Sequence, residues 1–364
     1  MEFGLSEDQR LMQDSVRRTL EKVSTLERVR VAADAKDAKA NDVWHALVEL
    51  GVPGLIIDEE FGGMGLKLLD AALIAEALGR FVAPVPFIAS AVMAPVALAA
   101  LGSAKQKETW LPKLANGEAV AGVAVSERSS GARDGGGVAA SGGKLSGKAL
   151  FVMDFAAADF FIVGDKAGGL HIVDAQAKGL NKVALTSIDL TRSLGELQFD
   201  NVEADALVSG DARAGLQRVL DAGRVMLAAD TLGAGWMMID KAVEYAKERK
   251  QFGRVIGSFQ AVKHLCAEMA SEIEPGRSLV WYAAHAFDEL PAEASLMAAH
   301  AKSYMGDVGR FVARTATEVH GGMGFTDLLG LHYWFKRIGL DRQLLGSPER
   351  VRADAAALQG WGAR

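Results

Sequence analysis

The chain has 364 residues, of which 50% are apolar and 24% charged, and its formal net charge is −6 at pH 7. A chain of this length can bury a large core and form about two or three domains, and its mild acidity argues against a nucleic-acid partner. Its one cysteine, Cys266, excludes an internal disulfide, and no Cys/His cluster has zinc spacing, so no metal site is predicted. We expect a reducing, cytoplasmic environment.

Helical periodicity runs through about the first 115 residues. Residues 6–9 (SEDQ) form a capping box that opens a helix, and the sequence around them lacks the basic-then-apolar pattern of a signal peptide. Leu11, Val16 and Leu20 follow at helical spacing. The most apolar stretch, 87–102, is shorter than the roughly 20 residues of a membrane span and contains a proline, so it predicts a buried helix and no membrane partner.

The middle of the chain has the composition of β-strands. Short runs rich in Val, Phe and Ile are bounded by Gly and Asp, namely EAVAGVAVSE, GKALFVMD, ADFFIVGD, LHIVDA and GELQFDNVEADALV. The glycine-rich segment 131–143 lacks the strand-GxGxxG-helix context of a Rossmann loop, so it predicts a flexible hairpin. Strands and helices do not alternate here, and we therefore predict a small antiparallel β-domain.

The C-terminal part is helical again. Four long helices with short connections predict an antiparallel bundle. These helices are expected at residues 212–250, 258–288, 291–319 and 328–362. The predicted domains are an N-terminal helical domain (1–118), a middle antiparallel β-domain (119–208) and a C-terminal four-helix bundle (209–364).

The segment YAKERKQFGRVIGSFQ, residues 245–260, combines two arginines, two phenylalanines and two glycines where a helix ends. A solvated basic helix end, balanced by Glu244 and Glu248, would explain the charges. It would not explain the Phe and Gly pattern. A guanidinium can pair bidentately with phosphate oxygens, and glycine lets the backbone approach a ligand, so the segment also fits a phosphate-bearing ligand.

Two C-terminal stretches, YAKERKQFGRVIGSFQAVKH and EVHGGMGFTDLLGLHYWFKRI, resemble the paired signatures of the acyl-CoA dehydrogenase family. SEDQRLMQDSVRRTL, DEEFGGMGL and DLTRSLGELQFDNV also fit, so the resemblance covers essentially the whole chain in order. It implies a mainly α fold with a middle β-domain: a helical domain, an antiparallel β-domain and a four-helix bundle. It further implies a tetrameric FAD enzyme without a Rossmann fold. Such an enzyme oxidises an acyl-CoA to the 2,3-enoyl-CoA and passes electrons to an electron-transfer flavoprotein.

The resemblance also implies cofactor contacts. In the family, the adenine and diphosphate half of FAD is held across a subunit interface. By this resemblance Arg249 contacts the diphosphate, Phe252 packs near the adenine and Gln260 lies close by. Gly321 and Gly322 match the family's double glycine beside the diphosphate.

The sequence departs from the family at the catalytic base. Dehydrogenation requires a carboxylate within hydrogen-bond reach of the substrate's α-proton. In most members this is a Glu whose position here is Leu345, and in others it is a Glu at the position of Gly223. Neither residue can accept a proton. Asp341 and Glu349 are the weak candidates for a displaced base, if they lie one helical turn on either side of Leu345.

Other positions near the implied flavin differ as well. The family's Thr-Glu-Pro motif becomes residues 126–128 (SER), and its Trp-Ile-Thr motif becomes residues 151–153 (FVM). Methionine cannot donate the hydrogen bond that threonine gives. Ser126 and Ser347 keep a hydroxyl where the family has threonine, and Glu318 replaces a glutamine near the diphosphate.

Three functions fit these observations. The first is a subunit without a catalytic Glu in an α2β2 acyl-CoA dehydrogenase, of the kind found in steroid side-chain and dicarboxylate degradation. The second is a self-sufficient homotetramer with a displaced base. The third is a non-catalytic acyl-CoA-binding or scaffold protein. No sequence motif identifies the acyl group of the substrate, and both fatty acid degradation and steroid degradation are consistent with the sequence.

Overall fold

A computed structural model describes residues 4–35, 39–126 and 136–361. Helices occupy both ends of the described chain and a β-sheet occupies its middle. The fold class predicted from the sequence, mainly α with a middle β-domain, is therefore confirmed.

Six α-helices and one π-helical segment form the N-terminal region. They are α1 (Glu7–Val23), α2 (Leu26–Asp34), α3 (Asn41–Val48), α4 (Leu68–Arg80), the π-helix Phe87–Met93, α5 (Ala94–Leu101) and α6 (Ala104–Ala115). The predicted capping box opens α1, where Ser6 and Gln9 each accept the other's backbone N–H. Val16 and Leu20 are buried as predicted, whereas Leu11 is exposed. The apolar stretch 87–102 is almost wholly buried, and no helix in the described ranges is long and apolar enough to cross a membrane.

The middle region forms one eight-stranded sheet. Its strands are β1 (Ala121–Ala124), β2 (Gly137–Ser141), β3 (Lys144–Met153), β4 (Phe160–Gly164), β5 (Leu170–Asp174), β6 (Leu180–Ala184), β7 (Leu194–Glu203) and β8 (Asp205–Leu207). Their order is β6-β7-β3-β1-β4-β5-β8, with β2 paired to β3. Every described pairing is antiparallel except β1 with β4, which corrects the wholly antiparallel prediction. The strand patterns in a sequence show where strands lie along the chain, but they do not show which strands pair. The pairing of β1 with β4 was not predicted because β2 and β3 lie between them in the sequence.

The glycine-rich segment lies only partly within the described residues. Residues 136–143 are described, and within them β2 turns back into β3 at Gly142 and Gly143, as a hairpin requires. Residues 131–135 lie outside the described ranges.

The C-terminal region packs long helices against one another. They are α7 (Ala212–Glu248), α8 (Gln260–Glu289), α9 (Pro291–His320), α10 (Leu331–Gln343) and α11 (Pro348–Leu358). A small ribbon of β9 (Lys250–Gln251) and β10 (Arg254–Val255) connects α7 to α8. The prediction of a single helix at 328–362 was wrong, because the helical conformation is interrupted between α10 and α11. Leu345 has a φ of 54° there and Gly346 a φ of 106°, neither of which a right-handed helix allows.

Two glycines bring α4 and α7 into backbone contact. A Cβ on Gly79 would overlap the carbonyl oxygen of Asp230, and a Cβ on Gly233 would overlap that of Glu76. The N-terminal helices are therefore seated directly on the bundle at this crossing, with no side chain between the two backbones.

A buried ionic cluster joins the three regions. The Arg337 guanidinium on α10 donates to Asp189 at 3.0 Å, to Asp230 on α7 at 3.2 Å and to the Ala83 carbonyl at 3.1 Å. Arg337 is 2% exposed and Asp189, in the loop before β7, is 1% exposed. Removing one member would leave an uncompensated charge in the interior, so the cluster fixes the sheet against both helical regions.

Candidate functional site

A cavity of about 600 Å³ lies where the sheet faces the break between α10 and α11. Its apolar lining consists of Leu150, Phe151, Leu185, Leu194, Leu340, Leu344 and Leu345. Its polar lining consists of Ser126, Thr186, Ser187, Gln343, Ser347 and Arg350. The volume and the mixture of apolar walls with a few polar groups are typical of a ligand or cofactor site.

An irregularity in β3 forms the sheet side of the cavity. The register between β3 and β7 shifts between Ala149 and Val152, and Phe151 takes a φ of 52° there. Its side chain is 42% exposed, and its carbonyl oxygen accepts from the Ser126 hydroxyl at 3.2 Å. Met153, which the sequence aligned with the family's flavin-facing threonine, is instead 2% exposed in the core. This irregularity in β3 thus exposes the side chain of Phe151 to the cavity.

The four-residue break, Leu344 to Ser347, forms the helical side. α10 ends where Leu344 takes an extended conformation, with φ −62° and ψ 140°. Gly346 follows with a positive φ, and Pro348 starts α11, where its missing N–H is tolerated. Leu345 also has a positive φ, which is costly for a side chain of this size. Such strain in a residue that lines a cavity is common at functional sites.

The two positions that the sequence resemblance assigns to the catalytic base converge on one space. Gly223 lies on α7, and a Cβ built on it would lie 2.5 Å from Cδ1 of Leu345 and 2.8 Å from Sδ of Met93. Leu345 is 1% exposed and so fills this space with hydrocarbon. Only one side chain can occupy the space at a time. In this chain that side chain is not a carboxylate.

Two buried cations hold the break in place. Arg224 donates through Nε to the Leu345 carbonyl at 3.1 Å and pairs with Asp354 at 2.7 Å. Lys302 donates through Nζ to the carbonyls of Arg342 and Gly346, both at 3.0 Å. Burial lowers the pKa of Lys302 to about 7. Lys302 was not predicted from the sequence, although a lone lysine in the stretch MAAHAKSYM was a signal that could have revealed it.

Asp341 belongs to the buried ionic cluster, and it does not line the cavity. Its carboxyl oxygen lies 3.3 Å from the guanidinium of Arg192. Burial raises the pKa of Asp341 well above its ordinary value, while the two guanidiniums of Arg192 and Arg337 oppose that effect. Asp341 therefore belongs to the buried ion pairs of the protein interior and forms no part of the cavity wall.

Glu349 lies on the surface at the start of α11, and it does not line the cavity either. It pairs with Arg342 at 2.6 Å. Its own backbone N–H, the Ser347 hydroxyl and Arg342 lower its pKa to about 2. Such a carboxylate is a weak proton acceptor.

The residues implied in FAD binding divide between two places. Ser126 and Ser347 line the cavity. Arg249, Phe252 and Gln260 are exposed at the end of α7 and the start of α8, and Phe252 is 91% exposed at the tip of the β9–β10 turn. Gln260 contacts His264 at 3.0 Å.

The double glycine lies at the same end of the bundle as Arg249. Tyr245, one turn before Arg249, stacks on His320, which precedes Gly321, with ring centroids 4.6 Å apart. No heavy atom lies within 4 Å of a Cβ built on Gly321 or Gly322, so their backbone is accessible to a ligand. The structure therefore brings the two signature segments together. Residues 127 and 128 lie outside the described ranges.

Two family models match the chain. The acyl-CoA dehydrogenase N-terminal domain matches residues 6–118, and the acyl-CoA dehydrogenase C-terminal domain matches residues 214–358. The chain belongs to the acyl-CoA dehydrogenase family. Members of this family are FAD-binding flavoproteins, and the resemblance seen in the sequence is confirmed.

Similar proteins include members from mycobacteria. Acyl-CoA dehydrogenase IpdE2 of Mycolicibacterium smegmatis is 29% identical, over 96% of this chain and 98% of its own. One chain of the ChsE4-ChsE5 complex from Mycobacterium tuberculosis has a TM-score of 0.90 and 26% identity, with 100% of both chains covered. A chain from a variant of the steroid ACAD Tcur3481-Tcur3483 has a TM-score of 0.88 and 30% identity, with 97% of this chain and 98% of that chain covered.

The residues present fit the family's cofactor at both places. The apolar walls of the cavity suit a flat heterocycle, and the small polar residues Ser126 and Ser347 lie among them. The exposed Arg249 and the open backbone of Gly321 and Gly322 suit a diphosphate. These are the groups through which this acyl-CoA dehydrogenase chain would hold FAD.

Proposed function

We propose that this chain is the subunit without a catalytic Glu in a heteromeric acyl-CoA dehydrogenase, which converts an acyl-CoA to the 2,3-enoyl-CoA. One observation carries the proposal: Leu345 fills the space where both base positions of the family converge. Among the described residues that line the cavity there is no Asp or Glu. Proton removal from the carbon next to the thioester needs a carboxylate within hydrogen-bond reach, and this cavity wall supplies hydrocarbon instead.

In the proposed assembly, one subunit would contribute to FAD binding and its homologous partner would supply the catalytic base. FAD, when bound, supplies the acceptor for the hydride that leaves the β-carbon. In this chain Arg249 would hold the diphosphate, Phe252 would pack beside the adenine with Gln260 close by, and the backbone of Gly321–Gly322 would face the phosphates. The homologous partner subunit supplies the carboxylate base. An electron-transfer flavoprotein then takes up the electrons.

The exposed end of the bundle supports an assembly with another subunit. Phe252 is 91% exposed, Phe325 80% and Leu328 71%, and large apolar side chains in such numbers favour burial in an interface. Two of the similar solved structures are named as pairs, ChsE4-ChsE5 and Tcur3481-Tcur3483. We therefore propose an α2β2 tetramer in preference to a homotetramer.

The experiment compares the chain alone with the chain co-expressed beside a homologous acyl-CoA dehydrogenase subunit that carries the catalytic Glu. Each sample is mixed anaerobically with FAD and a panel of acyl-CoAs, and bleaching of the flavin absorbance is followed. We expect bleaching by the co-expressed complex and none by the chain alone. The Leu345→Glu variant alone should also fail, because Phe151 and its neighbours differ from the family as well, and Leu345→Gln is its isosteric control.

Bleaching by the unmodified chain alone would refute the proposal in favour of a homotetramer with a displaced base. In that event Asp341→Asn and Glu349→Gln test the two candidates for a displaced base. Rapid bleaching by Leu345→Glu alone would show that the base is the one missing element of a complete site.

A further inference from the structure

A second cavity, of about 700 Å³, lies between helices α1 and α4 of the N-terminal region and helices α7 and α8 of the bundle. Its lining includes Arg17, Glu76, Trp236, Arg277 and Trp281, and we call it the arginine–tryptophan crevice. None of these residues lines the cavity beside Leu345. The family signatures do not explain this combination of guanidinium and indole groups.

A buried carboxylate lies at the centre of the crevice. Glu76 is 3% exposed, and its Oε1 accepts from Arg277 at 2.6 Å and from Arg17 at 3.5 Å. The Arg277 guanidinium also lies 5.7 and 5.9 Å from the ring centroids of Trp236 and Trp281. Two guanidiniums thus face the one buried acid, while Arg277 also pairs with Glu274 at 3.2 Å and Arg80 of the lining pairs with Asp240 at 2.7 Å. In total, four arginines and three carboxylates line it.

Several polar atoms of these side chains lack a protein partner. Among the described residues, eleven buried side-chain nitrogen or oxygen atoms make no hydrogen bond, and four of them belong to the crevice. They are Nε of Arg17, Nε1 of Trp236, Nε1 of Trp281 and Oε2 of Glu76. Buried polar groups are nearly always satisfied, so a concentration of such groups around one cavity favours a species bound there. Three of the four are donors, which calls for an acceptor.

We infer that the arginine–tryptophan crevice binds a small organic or inorganic oxyanion, a carboxylate or a phosphate, separately from the flavin site. An oxyanion accepts from several N–H donors at once, and hydrogen bonds from guanidinium to such oxygens are among the strongest in proteins. The volume of the crevice admits a ligand of several heavy atoms. The inference does not depend on whether the chain carries a catalytic base.

The test titrates the purified full-length chain with sodium phosphate and, separately, with sodium succinate. Sodium chloride at matched ionic strength is the control for non-specific screening. Binding is followed by isothermal calorimetry and by tryptophan fluorescence, because Trp236 and Trp281 line the crevice. Arg17→Gln removes a crevice guanidinium, and Arg213→Gln removes the same charge from an exposed position outside it.

We expect saturable binding of at least one anion, weakened about tenfold or more by Arg17→Gln and unchanged by Arg213→Gln, since one charge-assisted hydrogen bond is lost. The fluorescence change should disappear when both Trp236 and Trp281 are replaced by Phe, while calorimetric binding persists in weaker form. Binding of phosphate but not of succinate would identify a phosphate site. Binding of succinate but not of phosphate would identify a carboxylate site.

Two outcomes would overturn the inference. One is that neither anion has any effect on the unmodified chain beyond that of sodium chloride, which would mean that the crevice holds water alone. The other is equal binding by Arg17→Gln and the unmodified chain, which would place the site elsewhere. If Arg17→Gln fails to fold, loss of the fluorescence change in the variant with both Trp236 and Trp281 replaced by Phe places the anion in the crevice, and persistence of that change overturns the inference.

Discussion

The shared space between Gly223 and Leu345 can be tested by a double-mutant cycle of Gly223→Ala and Leu345→Ala. The new Cβ at position 223 would lie 2.5 Å from Cδ1 of Leu345 and 2.8 Å from Sδ of Met93. Both atoms are the ends of flexible side chains, so they can move, but in a packed core this costs about 1–3 kcal/mol. The gain in helix propensity, about 1 kcal/mol, offsets part of that cost.

The second mutation changes the environment of the first. Leu345→Ala alone removes a side chain that is 1% exposed, and it should cost about 2–5 kcal/mol. In the double variant the overlap with Leu345 is gone, and the new methyl group fills part of the space. We therefore expect the double variant to be about 1–2 kcal/mol more stable than the sum of the single effects.

The measurement is urea denaturation of all four proteins at one protein concentration, so that any subunit association affects them equally. Gly223→Ala combined with Leu145→Ala is the control, because Leu145 is fully buried in a separate core within the sheet. That pair should be additive. Additivity within about 0.5 kcal/mol for Gly223 and Leu345 would show that the two side-chain positions do not share one space, and the main support for the missing base would be lost.

Three further predictions concern buried charge and assembly. Folding lowers the pKa of Lys302 from its ordinary 10.5 to about 7. Between pH 7 and pH 10.5 the unfolded chain therefore binds more protons than the folded chain. The free energy of unfolding should rise with pH in this range, by up to about 1.4 kcal/mol per pH unit. Lys302→Met should abolish that rise in urea denaturation midpoints, and an unchanged pH dependence would contradict it. Asp341→Asn should cost less stability than Asp230→Asn at pH 7, because burial raises the pKa of Asp341, whereas the guanidiniums of Arg192 and Arg337 outweigh burial at Asp230 and lower its pKa. Replacing Asp230 should cost about 3 kcal/mol, and equal costs for the two variants would be evidence against this division. Phe252→Asp should dissociate the assembly in light scattering, and Leu11→Asp, exposed on α1, should not.

Much of the fold could be predicted because its signals are local. The capping box at Ser6, the apolar periodicity and the change in composition near residue 117 each depend on neighbouring residues. The direction of the β1–β4 pair could not be predicted, because pairing depends on contacts between distant strands. The break at Leu345 was also missed, because leucine rarely adopts a positive φ and only the surrounding contacts with Arg224 and Lys302 hold it there.

The same distinction applies to the candidate site. The resemblance pointed to Leu345 and Gly223 as positions without a base, yet only the structure shows that the two positions meet. Asp341 was a reasonable candidate by its spacing in the sequence. Its neighbour Arg192 comes from the loop before β7, and no helical spacing could reveal that the carboxyl is enclosed in the interior. The crevice residues come from four helices, and for the same reason no motif unites them.

The backbone contact between α4 and α7 limits how this protein can move and change. Since any side chain at Gly79 or Gly233 would push the two helices apart, a library of variants at either position should return glycine alone. The helical regions on the two sides of that contact would then turn as one rigid body. Movement that admits a bulky ligand to the cavity beside Leu345 would then come from local opening of β3 around Phe151, where its register with β7 is shifted. Slow exchange of the amide hydrogens of α4 and α7 should accompany faster exchange in β3.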